Sequence, residues 1–287
     1  MNTSTFRQPL KWLTTTLLLT SIAQFSHGHG RYVLPSHTQV SGDEPQSISL
    51  TASISNDLFH PDKPLGNEAG GKVNRFLQGL FDVLESSVIL PDGTRQPMQW
   101  RAFQRFSAAD LTLEQSGTHR VQLRQPTTHM LTFKQANGER DRRFGPDAKA
   151  PDGATHITRR TIASTVVSYV SHNQSSAPAR TGEGLELGGS SHPNDLFAGE
   201  DAHFTLTLNG KALSAPAKVH FVQSGTRHRN QREAIELETS ANGAFTLPLK
   251  HAGMHWLEVE YSRDGQSDSQ VDVHHHTLYV TLEVFAQ

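Results

Sequence analysis

The chain has 287 residues, which include 17 histidines and no cysteine. Its 26 Lys and Arg residues nearly balance its 28 Asp and Glu residues, so the formal net charge of -2 excludes the strongly basic surface of a nucleic-acid-binding protein. The absence of cysteine excludes disulfide bonds, thiol catalysis and lipid attachment to a thiol.

Residues 1–28 have the composition of a secretory signal peptide. Arg7 and Lys11 supply the positively charged start, and the apolar segment 12–23 is too short and too rich in threonine to span a membrane. No later apolar run in the sequence reaches spanning length. We therefore expect an exported protein, located in a bacterial periplasm, whose mature chain is not inserted in the membrane.

Two cleavage positions satisfy the small-residue rule at the end of this segment. Cleavage after Ala23 leaves a tail that carries His27 and His29, whereas cleavage after Gly28 makes His29 the first residue. A histidine at the amino terminus can offer both a ring nitrogen and its free amine to a metal ion. With His37 close by, His27 and His29 form the first candidate metal-binding group.

Beyond residue 29, short segments in which apolar and polar residues alternate, or in which β-branched residues dominate as in 161–170, predict β-strands. The predicted strands are 47–54, 87–90, 116–123, 161–170, 202–208, 235–237, 245–249, 255–261 and 277–285. The only predicted helix rests on the spacing of Phe76, Leu77, Leu80, Phe81 and Leu84. The charged stretch 134–160, which is punctuated by Gly and Pro, is interpreted as a long exposed loop.

The stretch 171–191, rich in Ser, Gly, Ala and Pro, is interpreted as a linker. It separates an N-terminal unit, residues 29–170, from a C-terminal unit, residues 192–287. Two motifs occur once in each unit, namely Asn-Asp-Leu-Phe at 56–59 and 194–197 and Gly-x-His at 117–119 and 253–255. The number and spacing of the strands predict an all-β fold of two tandem β-sandwich domains, immunoglobulin-like or transthyretin-like.

The second candidate metal-binding group is His274, His275 and His276, which directly precedes the last predicted strand. The alternation of that strand places His274 and His276 on its core side and His275 on the opposite side. Two imidazoles on one face form half of a site for nickel, cobalt, copper or zinc. The alternative interpretation is a solvent-exposed polar loop that happens to be rich in histidine.

The sequence gives little support to enzymatic activity. Motifs of zinc proteases, serine hydrolases, phosphate-binding loops and dinucleotide-binding folds are missing. The pair His29-Gly30 is similar to the start of copper-dependent polysaccharide monooxygenases, but that family's other motifs are not found. His119 and His255 are in phase with inward apolar residues, and we interpret both as structural histidines. We therefore expect a protein that is not an enzyme.

A series of motifs in a fixed order resembles a known family. The motifs are Tyr32-Val33-Leu34-Pro35-Ser36, Ser55-Asn56-Asp57-Leu58-Phe59, Gly184-Leu185-Glu186-Leu187, His192-Pro193-Asn194-Asp195-Leu196, Gly225-Thr226-Arg227, Ala252-Gly253-Met254-His255-Trp256-Leu257-Glu258 and Tyr279-Val280-Thr281-Leu282-Glu283-Val284. Together they resemble the bacterial family known as domain of unknown function 4198. The resemblance implies the periplasmic component of a nickel or cobalt uptake system.

We therefore expect a periplasmic accessory protein that binds a divalent transition metal ion and delivers it to the components of a membrane metal-uptake transporter. Nickel or cobalt is the expected metal, with copper or zinc as alternatives. The predicted ligands, in order of preference, are His29, His274, His276, His275, His27 and His37. The competing hypotheses are a non-catalytic β-sandwich module that binds a protein or a glycan and a copper protein with an N-terminal histidine site.

Overall fold

The computed structural model describes residues 29–65, 84–266 and 270–287. The strands that precede the predicted linker are β1 (Gly30–Pro35), β2 (Gln39–Val40), β3 (Gln46–Ser55), β4 (Lys63–Pro64), β5 (Glu85–Ile89), β6 (Arg95–Pro97), β7 (Arg101–Ala102), β8 (Ser107–Leu113), β9 (Gly117–Lys134), β10 (Arg140–Phe144) and β11 (Thr155–His172). The later strands are β12 (Leu185–Gly189), β13 (Asp201–Leu208), β14 (Lys211–Ala212), β15 (Lys218–Gln223), β16 (Ile235–Glu238), β17 (Ala244–Pro248), β18 (Gly253–Asp264) and β19 (Val273–Val284). The predicted all-β fold class is confirmed.

Helical structure in the described part of the chain is confined to one 3-10 turn, Thr226–His228. The helix predicted from Phe76, Leu77, Leu80 and Phe81 lies outside the described residues. Within the described ranges, no helix has the length and apolar character that crossing a membrane requires.

The strands form three sheets. A central ten-stranded sheet has the order β16-β15-β18-β19-β11-β9-β5-β6, with β10 added beside β9 and β2 beside β11. A five-stranded sheet has the order β1-β3-β8-β7, with β4 on β3, and a four-stranded sheet has the order β12-β13-β14, with β17 on β13. The central sheet therefore contains strands from both predicted units.

A parallel pair of strands joins the two units. β11, which ends the first unit, pairs with β19, which ends the second, in register from Arg160 beside Val273 to Ser168 beside Thr281. β11 also pairs antiparallel with β9, and β19 pairs antiparallel with β18. The two tandem β-sandwiches thus share one continuous sheet.

The two smaller sheets cover opposite faces of the central sheet. We call the face that carries Val167 and Tyr169 the front face and the opposite face, which carries Val166 and Val170, the back face. The front face packs against the four-stranded sheet in a core that includes Phe204. The back face packs against the five-stranded sheet in a second core, built by the residues Ile48, Leu50, Leu111 and Leu113 among others. β11 is buried on both faces in this region, which explains its β-branched composition.

The structure corrects the interpretation of residues 134–160 as one long exposed loop, because this stretch contains β10 and the start of β11. β9 and β11 run on beyond the covered part of the sheet, and β10 pairs with β9 from Arg140 beside Lys134 to Phe144 beside Met130. Gly138 makes the turn into β10 with φ of 89°. Every residue of β10 is exposed, so no face of this strand needs apolar residues and no alternation marks it in the sequence.

The predicted linker 171–191 also contains ordered structure. β11 continues to His172, and β12 pairs with β13 and buries Leu185 and Leu187 in the front core. The connection between these strands is held by Glu186, which is 0% exposed and pairs with the buried guanidinium of Arg120 on β9. The connection is therefore anchored to the central sheet and does not behave as a free linker.

The Glu186 carboxylate has several hydrogen-bond donors in addition to Arg120. The Thr181 amide donates at 2.8 Å, the Thr181 hydroxyl at 2.9 Å and the Gly182 amide at 2.9 Å. Burial alone would raise the pKa of Glu186, but the Arg120 charge and these donors hold the pKa below its usual value.

Removing this carboxylate should destabilise the fold strongly. In Glu186→Ala, the Arg120 guanidinium would remain buried without a counter-charge, and we expect a loss of about 3–5 kcal/mol in the free energy of unfolding. Urea denaturation at neutral pH measures this loss. Glu183→Ala is the matched control, because Glu183 pairs with Arg95 at the surface, at 2.7 Å, and should cost no more than about 1 kcal/mol. Equal effects of the two substitutions would contradict the anchoring role of Glu186.

Candidate functional site

The histidine triplet lies inside β19, where the register fixes the direction of each side chain. His274 lies between Thr161 of β11 and Arg263 of β18, and His276 lies between Ala163 and Tyr261. Both positions are on the front face, in phase with the core residues Leu278 and Val280, as the alternation predicted. His275 is on the back face. The triplet is therefore part of a strand and not a solvated loop.

His274 is held by a hydrogen bond that leaves one ring nitrogen available. Its Nδ1 lies 2.7 Å from the Thr161 hydroxyl oxygen. An imidazole fixed through one nitrogen and open at the other is the usual arrangement of a metal-binding histidine. Burial, followed by the charges of Arg263 and His129, lowers the pKa of His274. The ring is therefore biased toward its neutral form, which is the form that binds metal ions.

His276 is half-buried beside the Tyr261 ring, with 6.5 Å between the two ring centroids. Its Nδ1 atom is buried and has no hydrogen-bond partner among the described residues. Burial, with smaller contributions from Arg263, His274 and His275, lowers the pKa of His276 to about 4. At neutral pH, His276 is therefore an uncharged imidazole, and its Nδ1 atom makes no hydrogen bond with the described residues.

A third imidazole lies on the same face. His129 of β9 pairs with Thr161, which in turn pairs with His274, so the two histidines are separated by two strand spacings, or about 10 Å between Cα atoms. The His129 side chain is exposed. Across the described ranges, however, no three His, Asp or Glu side chains are placed to hold a metal ion together. The front face thus presents a pair of close histidines, with a third at a distance.

His275 is engaged on both sides of its ring. Its Nδ1 lies 2.8 Å from the Ser262 hydroxyl and its Nε2 lies 3.2 Å from the Thr277 hydroxyl. Because it also points to the back face, the structure does not bring it together with His274 and His276.

The N-terminal histidines lie elsewhere. His29 is exposed and its Nδ1 lies 2.7 Å from the Asn56 side-chain oxygen, at the start of β1 over the back face. His37 is exposed at the other end of β1, beside Ser36. His27 lies outside the described residues. His29 and His37 therefore do not converge with the front-face histidines His274 and His276.

The two Gly-x-His motifs have the same backbone and different side-chain environments. Gly117 and Gly253 open β9 and β18 with φ of 121° and 118°, and both histidines are buried. The Nδ1 of His255 bonds to the Gly253 carbonyl at 2.9 Å, and its ring stacks on Phe221, which supports the structural interpretation. Burial lowers the pKa of His119, and backbone hydrogen bonds with Gly117 and Val170 partly oppose this effect.

A buried carboxylate on the back face was missed by the sequence reasoning. Glu258 of β18 is 6% exposed, because β1 crosses this face and Trp256 donates a 2.9 Å hydrogen bond to the Arg31 carbonyl. Burial, and then the neighbouring Glu260 charge, raises the pKa of Glu258 to about 7, against the opposing effects of Arg232, Tyr279 and Arg31. In the sequence, the alternation Trp256-x-Glu258-x-Glu260 suggests that this face of the strand is exposed to solvent. The segment that covers it is β1, which is distant in the sequence.

Comparisons with known proteins give a family and little more. A family model described as "Domain of unknown function (DUF4198)" matches residues 26–263. No curated protein matches the chain. Among solved structures, the chain is similar to the two tandem V-type regions of VCBP3, a v-region-containing chitin binding protein, with 10% identity, a TM-score of 0.20 and coverage of 87% of this chain and 98% of that one. At that score the likeness carries no argument about this protein.

The buried carboxylate predicts a pH dependence of stability. Because the pKa of Glu258 rises from 4.5 to about 7 on folding, the folded state retains a proton that the unfolded state has lost. The contribution of Glu258 to the free energy of unfolding is therefore fully present below about pH 4.5 and is lost as pH rises through 7. Glu258→Gln does not titrate. Between pH 4.5 and pH 8, its free energy of unfolding should therefore gain about 3 kcal/mol relative to wild type.

Urea denaturation at a series of pH values measures this difference. The exposed Glu238→Gln variant on β16 is the control and should follow the wild-type curve. If the Glu258→Gln curve ran parallel to wild type across this range, Glu258 would not be protonated in the folded protein.

Proposed function

The chain belongs to the DUF4198 family, and we propose that it is an exported, non-catalytic protein that binds a divalent transition metal ion at His274 and His276 and passes it to an uptake transporter. The observation that carries the proposal is the pair of half-buried, neutral imidazoles on the front face of β19. Of the five suggested ligand histidines that lie within the described residues, these two have the most suitable environment. The metal is cargo in this proposal and not a resident cofactor.

The chemistry of the pair supports metal binding. The Thr161 hydroxyl fixes one nitrogen of His274 and leaves Nε2 open, while the buried Nδ1 of His276 has no hydrogen-bond partner among the described residues. A buried polar atom without a partner costs about 1–3 kcal/mol, and a bound cation would remove that cost. Imidazole nitrogens suit nickel, cobalt, copper and zinc.

An incomplete ligand set is consistent with transfer. A structural metal site closes its coordination shell with protein ligands, whereas a site with open positions leaves room for water or for the ligands of another protein. Two imidazoles and the more distant His129 provide such an open shell on the front face. The family resemblance adds nickel or cobalt as the expected cargo and a membrane transporter as the receiver.

Calorimetric titration of the chain without residues 1–28 tests the binding step. We expect one Ni(II) or Co(II) ion to bind with a dissociation constant below about 1 mM, and Cu(II) to bind more tightly in line with the general affinity order. His274→Gln and His276→Gln should each weaken binding at least about tenfold, a loss of about 1.4 kcal/mol.

His275→Gln is the matched control, because it removes the neighbouring imidazole of the same strand from the opposite face. His29→Gln tests the N-terminal histidine in the same way. Dissociation constants in the millimolar range for all four metals would contradict the proposal, and so would unchanged affinity in the double variant His274→Gln/His276→Gln. Loss of binding in His29→Gln alone would move the site to the amino terminus.

Delivery is tested separately in cells that lack the protein. Uptake of nickel or cobalt at limiting concentration should fall, and the wild-type chain should restore it while the His274→Gln/His276→Gln variant should not. Full restoration by the double variant would show that uptake does not use this site.

A further inference from the structure

The strand β10 forms an open edge of the central sheet. It pairs with β9 along one side, and no other described strand lies along its other side. A 2.9 Å bond from the Gly145 amide to the His129 carbonyl fixes the phase of this antiparallel pair. Because only alternate residues of such a pair bond to the partner strand, Arg140, Arg142 and Phe144 direct their backbone groups toward the open edge.

The side chains of the same three residues lie on the back face, together with cations from the neighbouring strands. Residues that pair directly across strands share a face. Arg140 pairs with Lys134, while Phe144 and Arg160 both pair with Met130. Four exposed cations therefore share this face, namely Lys134, Arg140, Arg142 and Arg160.

Acidic side chains in the described part of the chain do not neutralise this group. Asp141, the one acidic residue of β10, lies on the opposite face, and its carboxylate accepts a 2.9 Å hydrogen bond from the Gln135 side chain. The ion pairs among the described residues include none formed by Lys134, Arg140 or Arg160. This edge is therefore positively charged, although the formal net charge of the chain is -2.

The front face of these strands is already occupied. Phe133 of β9 is buried there beneath Arg143, whose guanidinium lies 5.7 Å from the ring centroid and bonds to the Lys149 carbonyl at 2.6 Å. On the back face, Phe144 is 49% exposed, and the Arg142 guanidinium lies 5.9 Å from the centroid of its ring. The back face and the outer edge of β10 are therefore the surfaces open to a partner.

An acidic segment in extended conformation fits these surfaces. Alternate side chains of a strand lie about 7 Å apart on one face, so two alternate acidic residues would lie opposite Arg140 and Arg142, with a third, apolar position opposite Phe144. Opposite charges that face each other across two strands stabilise the pair. A second copy of β10 would instead bring arginines opposite one another, and a lipid surface would use the cations but not the backbone groups of the edge.

We propose that β10 is a docking edge for an acidic, extended segment of another protein, which joins the central sheet as an additional strand. Backbone hydrogen bonds to Arg140 and Phe144 hold the segment, and its alternate carboxylates select it. The Arg142 amide donates a 2.8 Å hydrogen bond to the exposed Asp141 carboxylate, and a carbonyl of the added strand replaces this acceptor. The docking edge is independent of the metal-binding proposal.

Fluorescence anisotropy with labelled synthetic peptides and the full mature chain tests the proposal. The first peptide alternates Glu and Thr and has Val at both ends. The second has the same composition with all Glu residues in one block, and the third alternates Lys and Thr. At low salt the alternating acidic peptide should bind with a dissociation constant below about 1 mM, at least tenfold more tightly than the other two.

Two results with these peptides would overturn the proposal. One is equal affinity of the alternating and block peptides, because net charge alone would then explain binding. The other is absence of binding of the alternating peptide up to about 10 mM.

A charge reversal locates the peptide on the protein. Arg140→Glu should weaken binding of the alternating acidic peptide at least tenfold, whereas Lys211→Glu, the same charge change on the exposed strand β14, should bind as wild type does. Amide hydrogen exchange in residues 140–144 should slow when the peptide is bound, because the added strand bonds to the outward amides. Wild-type affinity in Arg140→Glu, or unchanged exchange in the bound state, would overturn the assignment to this edge.

The same measurements distinguish other occupants. Slower exchange in residues 140–144 at higher protein concentration, without peptide, would assign the edge to a second copy of the chain. Binding to phosphatidylglycerol vesicles that Arg140→Glu abolishes, without binding of the acidic peptide, would assign it to a membrane surface. Either result would overturn the proposal.

Discussion

The parallel pairing of β11 with β19 is the constraint on which the rest of the structure depends. Parallel neighbours need a long crossover, and here the crossover is the whole second sandwich, residues 173–272. The pairing makes one sheet out of two units and forces β11 to supply alternate residues to two cores, Val167 to the front and Val166 to the back. The two units follow one another in the sequence, but their two cores pack against the same central sheet.

This shared sheet also separates the chemistry of the protein by face. Because side chains alternate along a strand, neighbouring residues of β19 serve different surroundings. His276 lies beside the front core, while His275 bonds to hydroxyl groups on the back face. The back face in turn receives β1, which buries Glu258 and brings a carboxyl group with a raised pKa under Arg31. A shift of one residue in the β11–β19 register would exchange these environments.

Local patterns predicted those parts of the fold in which one face of a strand is buried. The alternation of β3, β13 and β19 placed the strands, and it placed His274 and His276 on the correct face. The strand β10 was missed because both of its faces are exposed, and the burial of Glu258 was missed because its cover starts at Arg31, more than 200 residues away. The separation of His29 from His274 follows from packing between sheets, which no local pattern contains.

The two Gly-x-His motifs show how far a local motif determines chemistry. In both, a glycine with positive φ opens a long strand and the histidine two residues later is buried, so the backbone and the burial repeat. The side chains that pack against the two rings do not repeat, because they come from other strands. Phe221 stacks on His255, whereas a cavity lies beside His119.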